Sequence, residues 1–493
     1  MPFDYLKPAP VSWRHVLPVV LVTAVAAVVA WLTPLVDDAY IYLDYVHSLS
    51  EAGNWGLTPD YFSDTATSPL HVLWLYVFAQ LAGGNALVAV VLATAFLWVV
   101  GAWVLVNEYR DRIWLSTAFL LSLVMLPPVL SSVGMETTWL TVGIICSWVL
   151  LRKALRYDST AMFAGFGASH ALLFALRPDA ALFTGALLVG TTFISRKFLW
   201  IATPVAAACT VLFLGLRWLL LGSVLPDSVF MKLNQAGDWD GKNLLNGWML
   251  YWDSNPGAVV LFVAALVGIA YLGIFAVVRS PVKRITLLRT PSAVFAGAAL
   301  VYFAGAVLAG VPPYHWYYVL PSVALLLVAF HIASTHKPRS GTAGFGALAA
   351  AGLALAIVGG MSGYPSLSTN WGSEAELKQI GQEIAPIVKG EDVDLDGEIG
   401  TIAYFCDCNL IDEFSVSQAQ KEFYDSKVAA GGIKAKVLKA NYAHRQWESA
   451  APAKFLLTTV QPQDPTTVLY TKALTSALGV KHTYFLVTQD AAR

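Results

Sequence analysis

Residues 15–41 read HVLPVVLVTAVAAVVAWLTPLVDDAYI, an uncharged apolar run that ends abruptly in two aspartates. An α-helix rises 1.5 Å per residue, so about 20 apolar residues cross the roughly 30 Å hydrocarbon core of a bilayer. The run is too long for the apolar part of a signal peptide and has no small-residue cleavage site after it. It therefore reads as a first membrane helix with Asp37 and Asp38 at its exit. Working outward, comparable runs recur at 86–106, 113–130, 137–151, 160–177, 179–195, 199–221, 257–278, 291–311, 316–332 and 343–361. That predicts about eleven spans.

Composition agrees. Of the 493 residues, 57% are hydrophobic and 13% charged, half of the charged share of about 25% that soluble domains carry. A net charge of −1 without any basic block gives no purchase for nucleic acid. Four cysteines are too few for a disulfide scaffold. Cys146 and Cys209 lie in apolar runs as packing residues. Cys406 and Cys408, in Cys-Asp-Cys, sit close for a disulfide and are too few for zinc, so they read as structural or incidental.

The basic residues set the topology. Every second loop is basic: Arg110 and Arg112; Arg152, Lys153 and Arg156; Arg196 and Lys197; Arg279, Lys283, Arg284 and Arg289; Lys337 and Arg339. The alternate loops at 37–68, 131–136 and 312–315 hold no lysine or arginine, and 222–256 holds only Lys232 and Lys242. Short cytoplasmic loops are the basic ones, which puts the N-terminus inside and the 37–84 loop outside. Making the short apolar segment 69–84 a span would scramble the alternation, so it is expected to lie in the interface as an amphipathic helix. Residues 1–362 then form a membrane domain. Residues 363–493, richer in polar residues, are expected to fold as a soluble α/β domain on the outer face. Helical spacing of Leu377, Ile380, Ile384 and Ile387 predicts a helix over 374–389. Strands are expected at Gly397–Phe405, Lys454–Val460 and Thr483–Val487.

Polar residues with chemistry gather at the outer helix ends. The pair Asp37-Asp38 there is either a general base or cation site, or simply ends the helix in water. The same face carries Ser68 and His71, Glu136, Arg177 and Asp179, Lys232, and the aromatic run Tyr314–Tyr318 around His315. Arg177 and Lys232 are two of the few outer cations, suited either to a phosphate or to snorkelling at a helix end.

At these residues the chain resembles the GT-C glycosyltransferases, and more narrowly the terminal arabinofuranosyltransferase of mycobacterial cell-wall arabinan and its bacterial relatives. The matching runs, in order, are Asp37-Asp38-Ala39-Tyr40-Ile41, Thr67-Ser68-Pro69-Leu70, Gly134-Met135-Glu136-Thr137, Arg177-Pro178-Asp179 and Pro226-Asp227-Ser228 with Lys232. Gly397-Glu398-Ile399-Gly400 followed by Ile411-Asp412 is similar to the family's periplasmic domain. The chain departs from the pattern in three places. Asp44-Tyr45 stands where an arginine usually follows the acidic pair. The loop Asn54–Thr67 lacks the usual Gly- and Glu-rich pattern, and His315-Trp316-Tyr317-Tyr318 replaces an Arg-Tyr run.

The resemblance implies an inverting transfer of a sugar, a pentofuranose such as arabinofuranose, from a polyprenyl-phosphate donor to a glycan or protein acceptor outside a bacterial plasma membrane. Asp37 or Asp38 would be catalytic, with Asp37 favoured as base. Arg177, Lys232, His315 and Tyr317 would hold the donor phosphate, and Ser68, His71, Glu136 and Asp179 the substrate. Some relatives use a divalent metal, but no ligand cluster stands out in the sequence, so no cofactor is assigned. The alternative is a lipid-linked substrate transporter or flippase, which would be expected to carry inverted repeats and midplane charges. Neither is visible in the sequence.

Overall fold

The computed structural model of the chain describes residues 13–234, 239, 241–279, 289–412, 415, 417–447 and 452–489. Lys283 and Arg284, used above for topology, lie outside them. The helices begin with α1 (Trp13–Leu32), α2 (Asp37–Glu51), α3 (Pro69–Leu81), α4 (Ala86–Glu108), α5 (Ile113–Val124), α6 (Pro127–Leu130) and α7 (Thr137–Tyr157). They continue with α8 (Thr160–Leu176), α9 (Ala181–Thr192), α10 (Thr203–Leu221), α11 (Asp227–Asn234), α12 (Trp248–Ser254), α13 (Pro256–Arg279), α14 (Pro291–Leu308), α15 (Val319–His336) and α16 (Pro338–Ser362).

All eleven apolar runs are helical. Among the described residues, eight helices are long and apolar enough to cross a membrane. The other three runs hold α5 with α6, α8 and α9. At 12 residues each, α5 and α9 reach only about 18 Å. Pro127 opens a fresh turn that carries the α5 run on to Leu130. The direction of travel is nonetheless kept. One cavity is lined from residues 38–42, 65–67, 135–136, 174–181, 224–232 and 311–317. Every weakly basic loop therefore returns to the same face, as the charge alternation requires.

Helix α3 is a single short helix. Ser68 caps it by accepting a hydrogen bond from the His71 amide. Leu73, Val77 and Leu81, four apart, are exposed along one side, while Val72, Leu75 and Ala79 are buried on the other. The helix is therefore apolar on both sides and lacks the polar face expected of an amphipathic helix; at 13 residues it is too short to span a bilayer alone.

Beyond Gly363, which ends α16 in the left-handed conformation, the chain forms α17 (Glu374–Val388), α18 (Ile399–Cys406), α19 (Ser417–Ala429) and α20 (Gly432–Asn441) around one sheet. A capping box of Ser373 and Glu376 starts α17. The sheet order is β2 (Leu410–Ile411), β1 (Val393–Leu395), β3 (Phe455–Thr458), β5 (Lys481–Thr488), β4 (Val468–Thr475). Strand β1 runs parallel to β2 and β3, and β5 antiparallel to β3 and β4.

One expectation is corrected here. The segment 397–405, read as a strand, is mostly the helix α18. Its apolar residues Ile399, Ile402, Ala403 and Cys406 fall at helical spacing and are buried. Cys406 and Cys408 form a disulfide. Asp407 between them adopts φ 52, which folds the chain so that the two Cα atoms stand 5.2 Å apart, within bonding range.

Helix α18 packs directly on α2, joining the C-terminal α/β part to the 37–84 loop. Gly400 makes the approach possible. A Cβ there would come 2.3 Å from the Asp37 carbonyl oxygen, a clash that only backbone movement relieves. Gly400→Ala is therefore expected to destabilise the chain by about 1–3 kcal/mol, read as a lowered melting temperature in detergent. An unchanged melting temperature would mean that α2 and α18 are not in contact.

Candidate active site

The cavity has a volume of about 510 Å³. Its polar wall holds Asp38, Tyr42, Thr67, Glu136, Arg177, Asp179, Ser228, Lys232 and Tyr317, and its apolar wall includes Phe174, Leu214, Leu225, Val229 and Val311. Such an amphipathic cleft suits a ligand with a polar head and a hydrocarbon tail.

Each polar side chain is placed by a helix end. Asp38 stands in the first turn of α2, where the positive end of the helix dipole favours a carboxylate. Its Oδ1 lies 3.5 Å from Lys232 Nζ of α11. Burial acts to lower the pKa of Lys232, but Asp38, Tyr317 and Glu136 together outweigh it and hold the ammonium above its ordinary range. Lys232 also rests 5.2 Å from the Trp316 ring and 5.5 Å from the Tyr314 ring, a cation–π seat.

Glu136 reaches the cavity because Gly134, at φ 87, turns the chain just before α7. The Gly134 carbonyl accepts from His71 at 2.8 Å if Nε2 carries the proton. Arg177 donates to Glu136 Oε1 at 2.9 Å and to Asp179 Oδ1 at 3.0 Å, and its guanidinium lies 4.7 Å over the Tyr317 ring. Tyr42 donates to Glu136 Oε2 at 2.7 Å, and Tyr302 to Asp179 Oδ2 at 2.6 Å. Three carboxylates therefore face two cations. Glu136 and Asp179 share one guanidinium, while Asp38 has only the longer contact to Lys232.

Six of the ten residues singled out in the sequence line the cavity: Asp38, Glu136, Arg177, Asp179, Lys232 and Tyr317. The other four are placed elsewhere. Asp37 is buried and accepts from the amides of Gly400 at 2.9 Å and Thr401 at 2.6 Å. Its carboxylate serves as the anion at the N-terminus of α18, so both oxygens are engaged in docking. Burial raises its pKa against the pull of these amides, and the buried Glu398 beside it is raised well above its usual range by burial and by the charge of Asp37. Ser68 is the cap of α3. His71 is held by Gly134 and by the edge of Tyr42, with ring centres 4.9 Å apart. His315 is buried with Nε2 3.0 Å from the Ser131 carbonyl.

On the polar wall, Tyr42, Thr67 and Ser228 were not among those ten, although Thr67 opens the quoted run Thr67-Ser68-Pro69-Leu70. Tyr42 stands one helical turn after Asp38, a spacing that puts both on one face. Ser228 directly follows Asp227 in a run already noted.

The cavity residues do not fit a resident divalent metal. Glu136 and Asp179 are committed to Arg177 and to tyrosines. Among the described residues the trio with metal-ligand spacing is His47, Glu51 and Asp407, none of which lines the cavity.

No protein-family profile matches the chain, and no curated protein sequence does. Among solved structures, the oligosaccharyltransferase of Archaeoglobus fulgidus superposes with TM-score 0.53 at 11% identity, over 92% of this chain and 70% of that one. The chain has the GT-C fold. Two further GT-C structures align less closely. The arabinofuranosyltransferase AftD from Mycobacteria matches at TM-score 0.47 and 14% identity, over 98% of this chain and 40% of that one. ArnT from Cupriavidus metallidurans matches at TM-score 0.43 and 16% identity, over 96% and 98%. The GT-C fold is polytopic, in keeping with the helices described above.

The two aspartates are separable. Asp37→Asn should weaken the seat of α18 and lower stability by about 1–3 kcal/mol, the cost of breaking charge-assisted hydrogen bonds, while the folded fraction keeps its turnover. Asp38→Asn should leave the melting temperature nearly unchanged and remove activity. Thermal unfolding and turnover measured on both variants decide it. The reverse pattern would return the chemical role to Asp37.

Proposed function

We propose that this chain is an inverting glycosyltransferase that uses a polyprenyl-phosphate sugar. The observation that carries the reading is the pairing of Asp38 with Lys232 on the wall of a cavity that is also lined by apolar side chains. A carboxylate free of stronger partners is a suitable base, a lysine a suitable phosphate ligand, and an apolar wall a suitable bed for an isoprenoid chain.

In this mechanism the donor phosphate draws Lys232 away from Asp38, which frees the carboxylate. The acceptor hydroxyl oxygen attacks the anomeric carbon while its proton passes to Asp38. The bond from that carbon to the phosphate oxygen breaks, and its electron pair leaves on the lipid phosphate. Lys232 stabilises that growing charge. A phosphate monoester is a fair leaving group, so no general acid is required. Glu136 and Asp179, held rigidly by Arg177, Tyr42 and Tyr302, are placed to accept sugar hydroxyls. The resemblance in the sequence favours a pentofuranose, and a glycan or protein as acceptor.

The charge asymmetry of the loops supports the outer side of the membrane as the place of this cavity, and the resemblance in the sequence supports a bacterial plasma membrane. A cysteine replacing exposed Lys434 of α20 should then react with an impermeant thiol reagent on intact cells, and one replacing Arg110 should not. Labelling at Arg110 instead would invert the orientation.

The chemical test is direct. Purified protein given polyprenyl-phosphate pentoses and candidate acceptors should release free polyprenyl phosphate. Asp38→Asn should cut turnover by about 10²–10⁴-fold, the range for loss of a general base. Lys232→Ala should raise the donor KM by about tenfold or more. Full activity in both variants would remove the proposed mechanism.

A further inference from the structure

A second polar cluster lies behind the cavity, at the seam between the 37–84 loop, the 222–232 segment and the C-terminal part of the chain. Asp64 is fully buried. Its Oδ2 accepts from Arg217 Nη2 of α10 at 2.5 Å and also from the Ser223 hydroxyl. Its backbone carbonyl takes the Asp227 amide at 2.9 Å. From the other side comes the end of α20. Asn441 Oδ1 accepts from the Leu225 amide at 2.8 Å, and the Asn441 carbonyl accepts from the Val224 amide at 3.2 Å. Arg445 donates through Nη1 to the Leu221 carbonyl at 3.2 Å and through Nη2 to Asp227 Oδ2 at 2.8 Å. The Arg445 and Asp227 side chains are each 1% exposed, and the guanidinium lies 4.6 Å over the Phe62 ring.

Burying two ion pairs is a poor way to gain stability, because desolvation offsets most of the attraction. Here it is also incompletely compensated: Asp64 Oδ1 and two nitrogens of Arg217 are buried without a hydrogen-bond partner. What such a cluster does well is fix a register. The segment it fixes is the one that carries the phosphate ligand. Asp227 begins α11, and the next residue, Ser228, lines the cavity with its hydroxyl 3.2 Å from Thr67 Oγ1. Lys232 follows one turn later. The same C-terminal part grips the facing wall through Asp37, one residue before Asp38.

We propose that Asn441 and Arg445 are positioning residues of the transfer reaction, setting where Lys232 stands opposite Asp38, so that the C-terminal part of the chain belongs to the donor site. This rests on the donor reading given above. Neither residue touches the donor. Both act through the backbone between Leu221 and Ser228. A lysine at position 445 keeps the charge toward Asp227 but loses the second, simultaneous contact to Leu221 that the guanidinium fork makes.

The test is a double-mutant cycle on the full-length protein, with polyprenyl phosphate itself as the binding probe and donor KM as the second readout. Arg445→Gln should weaken polyprenyl-phosphate binding by about tenfold, and Arg445→Lys should recover part of that loss. In a Lys232→Ala background, Arg445→Gln should cost little more, because its effect runs through the lysine already removed. Asn441→Ala, which deletes only the two side-chain contacts to the Leu225 backbone, should behave likewise at smaller amplitude and serves where Arg445→Gln does not fold. Additive losses, or unchanged binding in folded Arg445→Gln and Asn441→Ala, overturn the positioning role while the donor reading stands. A wild-type chain that does not bind polyprenyl phosphate overturns both.

Discussion

The structure turns on a carboxylate meeting the start of a helix. Asp37 offers both oxygens to the amides of Gly400 and Thr401, groups that the first turn of α18 cannot satisfy by itself. An ionised acceptor makes such contacts about twice as strong as neutral ones. Because Gly400 carries no side chain, the two backbones can close to this distance. The contact ties the exit of the first membrane helix to the C-terminal sheet across 363 positions of sequence. It also decides the roles of two neighbouring aspartates. The one that docks is buried against backbone, and the one beside it, on the next face of the helix, looks into the cavity.

From this anchor the cavity assembles by addition of helix ends. Glu136 arrives on the turn made by Gly134, Arg177 and Asp179 on the break between α8 and α9, Lys232 on α11, and Tyr317 ahead of α15. Arg177 is the hub: one guanidinium holds two carboxylates and covers an aromatic ring. The result is a rigid, self-neutralised half beside a looser Asp38–Lys232 pair. The proposed mechanism uses the looser half, where Asp38 has only the longer contact to Lys232.

Much of this was legible in the sequence. The alternation of basic and non-basic loops placed every cavity residue on one face, because long-range topology leaves a local charge signature. The helix α17 was legible from its spacing and its cap. What the sequence could not disclose depended on distant partners. The run 397–405 is rich in β-branched and aromatic residues and reads locally as a strand, but packing against α2 and the anion from Asp37 favour a helix. Asp37 and Asp38 are adjacent and chemically identical, so only the position of α18 separates them. Ser68, His71 and His315 are polar groups at helix ends that each make a hydrogen bond to backbone, and nothing in their own neighbourhood announces that. Lys232 stands 194 positions from Asp38, which made the acidic pair look uncompensated.

The exposed stripe on α3 has a consequence for depth. Leu73, Val77 and Leu81 each lose about 1.5–3 kcal/mol if left in water rather than in hydrocarbon, so together they float the helix at the hydrocarbon boundary. The cap of that helix, Ser68, directly follows Thr67 on the cavity wall, and His71 on its buried side braces the turn that carries Glu136. The loop is thus moored to the bilayer at one end and to the protein at the other. With the stripe seated in lipid, the height of the cavity would follow lipid thickness as well as the chain, and a bilayer too thin or too thick would pull on the wall itself.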